Sequence, residues 1–239
     1  MRTRWLLVMV PAVLLAGVVA LPAPAADDPP TRKELAASQH NLKRIALGVI
    51  DFCDANRSRL PTDIADKDAE PLLSWRVTIL PYIGEEKLYK QFKLDEPWDS
   101  DTNKKLIEKM PKIYAPVRVK AKAGETFYQT FSGEDALFGP KNKPLFPASI
   151  PDGTSQTAMV VEAGEPVIWS QPVDLPFDEK KPLPKLGGLF DGNFHVVMCD
   201  GSVKFLKKNP DEKWMKLVVM PADGSVIDFD KHVKPTPES

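Results

Sequence analysis

One apolar stripe governs what this chain can become. Leu35, Leu42, Ile45, Val49 and Phe52 recur at three- and four-residue steps, with Ala46 and Cys53 beside them. That is the spacing of one face of an α-helix. Lys33, Gln39, Lys43, Arg44 and Arg57 occupy the opposite face. The pattern predicts a helix over residues 32–57. Thr31 stands at its N-cap with Glu34 three residues on, the arrangement of a capping box, and Leu60-Pro61 closes it. A long helix with a single apolar stripe must lie along something flat, most simply a sheet.

The second half of the chain supplies that sheet. Residues 113–119, 127–131, 157–162, 166–169, 195–199, 203–206 and 226–229 read as short strands. Asp152-Gly153, Asp191-Gly192, Asp200-Gly201 and Asp223-Gly224 lie between them. Asp-Gly between apolar runs marks hairpins, because glycine accepts a positive φ and aspartate tolerates one. Before them, residues 72–92 suit short helices broken near Pro81 and Gly84. The β-branched Val77-Thr78-Ile79 run there also fits a strand. Residues 62–71 form a polar loop, residues 95–100 a turn, and residues 102–109 a helix that Pro111 stops. Asp211 to Met220 makes a late helix with Trp214, Leu217 and Val218 on one face. The 24 prolines keep all these elements short, since proline neither donates to a ladder nor continues a helix. The fold class is α+β: a long N-terminal helix on an antiparallel sheet, with short helices first and hairpins afterwards. A chain of 239 residues accommodates one such domain, residues 32–230, between a polar lead-in at 26–31 and a polar tail at 231–239.

Residues 1–25 read differently. Arg2 and Arg4 precede an uncharged apolar run over residues 5–21, and Ala23-Pro24-Ala25 gives the small-x-small pattern of a signal-peptidase site. Cleavage is expected between Ala25 and Ala26, which places the domain outside the cytoplasm with no stable membrane span. The competing reading, an uncleaved anchor, meets a run at the lower limit for spanning, interrupted by Pro11. Val18 stands where a lipidated cysteine would follow Leu14-Leu15-Ala16-Gly17, which speaks against a lipid anchor. Export puts Cys53 and Cys199 in an oxidising setting, where they either form a disulfide or remain buried thiols that behave as small hydrophobes.

Composition excludes more than it assigns. A formal net charge of −1 without a basic block argues against a nucleic-acid partner. Two cysteines and three scattered histidines show no metal-ligand spacing, and no glycine-rich phosphate loop occurs, so no cofactor or metal is expected. A hydrolase would need His40, His195 or His232 as base, yet no Gly-x-Ser-x-Gly elbow accompanies them. Asp95, Glu96, Asp99 and Asp101 cluster around Trp98. There Trp98 and Asp99 are candidates for contact with a glycan or peptide, and Trp169 is a second aromatic candidate. Turn chemistry accounts for the same residues equally well. Asp152, Gly153, Asp200 and Gly201 read as structural turns rather than calcium loops, which need more oxygen ligands in order.

Several blocks in this order are familiar. Asn41-Leu42-Lys43-Arg44-Ile45-Ala46-Leu47, Leu73-Ser74-Trp75-Arg76-Val77, Leu80-Pro81-Tyr82-Ile83, Leu88-Tyr89-Lys90-Gln91-Phe92 and Asp95-Glu96-Pro97-Trp98-Asp99-Ser100 come first. Asp152-Gly153-Thr154-Ser155-Gln156-Thr157 and the closing His195 to Leu206 run follow. Together they resemble the domain of unknown function 1559, an exported family abundant in planctomycetes. The resemblance implies a pilin-like layout and a role among cell-surface or periplasmic proteins, as a non-enzymatic structural or interaction domain. Many members carry a prepilin leader, which this chain replaces with Pro11 and the Ala-x-Ala site. Phe190 and Ala115-Pro116 stand where family members often carry a histidine and a Cys-Pro.

Overall fold

The computed structural model describes residues 28–139 and 144–235. The leader, its cleavage site at Ala25 and Ala26, and residues 236–239 lie outside the described residues. Helix α1 (Arg32–Ala55) opens with the expected capping box: Thr31 Oγ1 accepts from Glu34 N, and Glu34 reaches back to the Thr31 backbone. The helix ends two residues before the expected Arg57. Arg57 and Ser58 take left-handed φ values of 57° and 61°, and Ser58 N donates to Cys53 O at 2.8 Å, tying off the last turn.

Short elements follow. Strand β1 (Ile64–Ala65) lies in the expected polar loop and pairs with β2 (Pro71–Leu73), which runs past the loop into the segment expected to be helical. Helix α2 (Trp75–Thr78), a 3-10 turn Leu80–Ile83 and helix α3 (Glu86–Tyr89) settle the ambiguous Val77-Thr78-Ile79 run as helix. Gly84, at φ 84°, supplies the left-handed cap between the last two. Residues Asn103–Lys109 and Lys112–Tyr114 are 3-10 helices. The strand expected at 113–119 does not form, because Pro111 and Pro116 remove donors that a ladder needs.

The main sheet has four antiparallel strands in the order β3 (Glu125–Gln129), β5 (Ala158–Ile168), β7 (Phe194–Met198) and β8 (Val203–Leu206). Strand β5 runs through both expected strands at 157–162 and 166–169 without a break. Asp200-Gly201 makes the β7–β8 hairpin as predicted, with Gly201 at φ 80°. The other Asp-Gly pairs are turns in loops. A small parallel pair, β4 (Phe131–Ser132) with β6 (Leu175–Pro176), continues from β3. Residues 226–229 form no strand, and Val226 is 87% exposed.

Period two along β7 explains the layering. Val197 joins α1 residues Leu42, Ile45, Val49 and Cys53 in one core. Phe194, Val196 and Met198 point the other way, into a second core with Met215, Val218 and Val219 of α4 (Glu212–Val219). The sheet is thus covered on both faces, so every β7 residue is buried. Each fully buried Leu, Ile or Val contributes about 1.5–3 kcal/mol. Along the outer edge of β8, Lys207 N donates to His232 O and Lys234 N to Phe205 O, so residues 232–234 shield that edge. Among the described residues, no helix is long and apolar enough to cross a membrane.

Close approach of α1 to the 3-10 turn requires Gly48: a Cβ there would overlap Ile83 Cγ2.

Candidate functional site

The polar residues of the sequence blocks lead inward. Arg76, wholly buried, is the centre of one network. Its Nη2 donates to Asp174 Oδ1 at 2.6 Å, Nε to Tyr128 O at 3.0 Å and Nη1 to Ser74 Oγ at 2.7 Å. Asp174 also accepts from Thr130 N and Trp75 Nε1. Burial pushes the Asp174 carboxyl upward, an effect that the guanidinium opposes. Half-buried Asp63 accepts from Trp75 N at 2.8 Å. Burial first, and then the charge of Asp174, push Asp63 up to about 6. Ser74-Trp75-Arg76 therefore welds α2 to β3 and to the loop before β6.

A second network crosses from α1 to the sheet. Glu162, fully buried on β5, accepts from Ser38 Oγ and from His195 N, the latter at 2.7 Å. Ser38 Oγ and Tyr128 Oη share a hydrogen bond of 2.8 Å. Burial, with the Glu162 charge behind it, pushes the Tyr128 phenol up, so it stays a neutral hydroxyl. His195 Nδ1 lies 3.2 Å from both Glu162 oxygens. Its Nε2 is buried without a hydrogen bond, between Phe190 and Phe205. Nucleophilic catalysis needs the imidazole between serine and carboxylate. Here the carboxylate lies between serine and imidazole, and His195 is 1% exposed. His195 is thus not placed against Ser38 as a base would be.

The remaining sequence candidates are placed as follows. Trp169 is completely buried, stacked on Tyr114 and edge-on to Phe92, with Nε1 donating to Ile107 O. It offers no exposed face, contrary to expectation. Trp98 is half-buried against the first core, and Asp99 beside it is exposed. Their turn is held by Asn103, whose Nδ2 donates to Lys93 O, Glu96 O and Pro97 O. Asp152 accepts from Asp223 N and Gly224 N, and Asp200 from Ser202 N. The Asp200 bond is local to its turn, whereas Asp152 ties its own turn to the Asp223-Gly224 segment.

Cys53 and Cys199 are free thiols, both fully buried in the first core. The alternative of a disulfide is thus not realised. Burial pushes Cys53 up to about 12 and Cys199 higher still.

Accessible space opens at the C-terminal end of α1. A cleft of about 540 Å³ is lined by Phe52, Ala55, Asn56, Arg57, Arg59, Leu60, Thr62 and Pro144. Asn56 is anchored there by Nδ2 donating to Phe52 O at 2.8 Å and to Tyr82 Oη at 3.0 Å. Phe52 meets Tyr82 edge-on at 5.4 Å between centroids, making a rigid aromatic wall. Arg57 and Arg59 are exposed.

Sequence reasoning missed Asp174, Tyr128, Ser38 and this cleft. Glu162 left a signal: a single acid inside the apolar run Met159-Val160-Val161-Glu162-Ala163. Asp174 left none.

No curated protein and no solved structure matches this chain. A family model described as a protein of unknown function (DUF1559) matches residues 35–182. That span is more than half of the 239 residues, and holds the Arg76–Asp174 network and the turn clamped by Asn103. The chain belongs to the DUF1559 family.

Proposed function

We propose that this domain works outside the cytoplasm as a non-enzymatic structural and interaction module with a pilin-like layout. One observation carries the reading. Ser74, Arg76 and Asp152 of the sequence blocks, and Asn103 just after one of them, are hydrogen-bonded to the chain's own backbone or side chains. They serve the scaffold, which leaves function to the surface. The signal-peptide pattern of residues 1–25 supports the location. A glycan platform at Trp98 is disfavoured, because its indole packs on the core. The test is fractionation and N-terminal sequencing of the protein from its own cells. A start at Ala26 in an extracytoplasmic fraction is expected. A start at Met1 in the cytoplasmic fraction overturns the location, and with it the function.

A further inference from the structure

We propose that the cleft at the end of α1 binds the carboxylate of an acidic, partly apolar peptide segment, with Arg57 and Arg59 as the recognising groups. This deepens the interaction-module reading and rests on it.

The first argument is charge. Among the described residues, neither Arg57 nor Arg59 has an ion-pair or hydrogen-bond partner for its guanidinium. Arg44, on α1 itself, by contrast has its guanidinium on Ile83 O. Two planar guanidinium forks in one cleft match a carboxylate, which arginine engages in bidentate fashion.

The second argument is conformational. Arg57 has φ 57° and Ser58 φ 61°, in the left-handed region where glycine is cheapest at a helix C-terminus. An arginine placed there costs stability relative to glycine, and in exchange projects a long cation from a fixed turn. The turn is held on both sides: Ser58 N donates to Cys53 O at 2.8 Å and Ser58 O accepts from Phe146 N at 2.6 Å.

The rest of the lining separates ligand classes. Phe52, Ala55, Leu60 and Pro144 are apolar, and among the described residues Asn56 and Thr62 are the uncharged polar side chains of the lining. Exposed Leu145, at 45%, lies next to Pro144. A uronic-acid glycan would bring many hydroxyls and find few partners. A peptide places its backbone and aliphatic side chains against such a wall.

The experiment is fluorescence anisotropy on the full chain, with a short fluorescein-labelled peptide of alternating Leu and Glu. Its Gln-for-Glu counterpart and an oligogalacturonate serve as comparison ligands. Saturable binding of the acidic peptide is expected, with the Gln peptide weaker by about tenfold or more. Arg57→Gly removes the cation and relieves the left-handed cost, so its melting point should stay level or rise while affinity falls about tenfold. Arg59→Gln should weaken binding without the gain in stability. Equal binding by Arg57→Gly, by the Gln peptide, or no binding of the acidic peptide overturns the proposal. Preference for the oligogalacturonate overturns the peptide assignment while leaving an interaction module. Cleavage of the peptide, read by mass spectrometry, would instead overturn the non-enzymatic reading itself.

Discussion

Asp174→Ala tests the load on the Arg76 network. Arg76 and Asp174 have side-chain exposures of 0% and 6%. Removing the carboxylate strands a guanidinium charge inside the protein. Leaving one partner of a buried ion pair uncompensated costs about 3–5 kcal/mol. The N–H groups of Thr130 and Trp75 Nε1 also lose their acceptor, at about 1–3 kcal/mol per buried orphan, not fully additive. The two remaining guanidinium bonds, to Tyr128 O and Ser74 Oγ, hold the lower end. We therefore expect about 4 kcal/mol, a large share of the ~5–15 kcal/mol by which domains are stable. Arg76→Met alone leaves Asp174 with its two N–H donors and costs less. The double variant should cost less than the sum of the singles, with a coupling of about 2 kcal/mol. Guanidinium chloride unfolding, followed by both circular dichroism and tryptophan fluorescence, measures each corner of the cycle. Should Asp174→Ala not fold, Asp174→Asn keeps the oxygen acceptor and supplies the corner. A loss under about 1 kcal/mol for Asp174→Ala, or strict additivity, would refute the claim that this pair is buried and mutually dependent.

Four further outcomes follow from the geometry. The folded state raises Asp63 from 3.8 to about 6 and so favours its protonated form. Its stability contribution is present in acid and lost as pH rises from about 4 through 6. Asp63→Asn should then gain about 1–2 kcal/mol at pH 7 and nothing at pH 4, half the full linkage value because the group is partly exposed; a gain independent of pH contradicts this. Gly48→Ala should lower stability by about 1–3 kcal/mol in thermal melts, because overlap with Ile83 outweighs alanine's helix preference. Glu162→Gln turns one accepting oxygen into a donor facing Ser38 Oγ or His195 N. It should cost about 1–3 kcal/mol by chemical unfolding. A thiol reagent at pH 8 should leave the native protein unmodified and label two thiols in denaturant; no label in denaturant would mean a bridge.

What could be read before the fold was known depended on locality. The α1 stripe, the Thr31–Glu34 box, the break at Gly84 and the Asp200-Gly201 hairpin are set by residues within four positions of each other. Side-chain period and backbone freedom act over that range, and all four elements form as read. The same local reading failed at residues 113–119 and 226–229, where apolar runs found no strand to pair with. It also ran α1 to Arg57, whereas the helix ends at Ala55, just before two non-glycine residues in the left-handed region.

The networks lay beyond sequence for a different reason. Ser38 and Glu162 stand 124 positions apart, and Arg76 and Asp174 stand 98 apart. A buried charge is tolerated only beside partners that the tertiary structure supplies. Nothing in the residues near Asp174 says that Arg76 will arrive. The same holds for the cysteines and for His195. Their residue types suggested a bridge and a base, and burial made them thiols in a core and a ring between two phenylalanines. By itself, the sequence determined the helix, the sheet-forming second half and the turns, because each is a short-range matter of period and φ. Only the packed structure decided which polar groups are scaffold and which, like Arg57 and Arg59, remain exposed. Exposure is a property of everything folded around a residue.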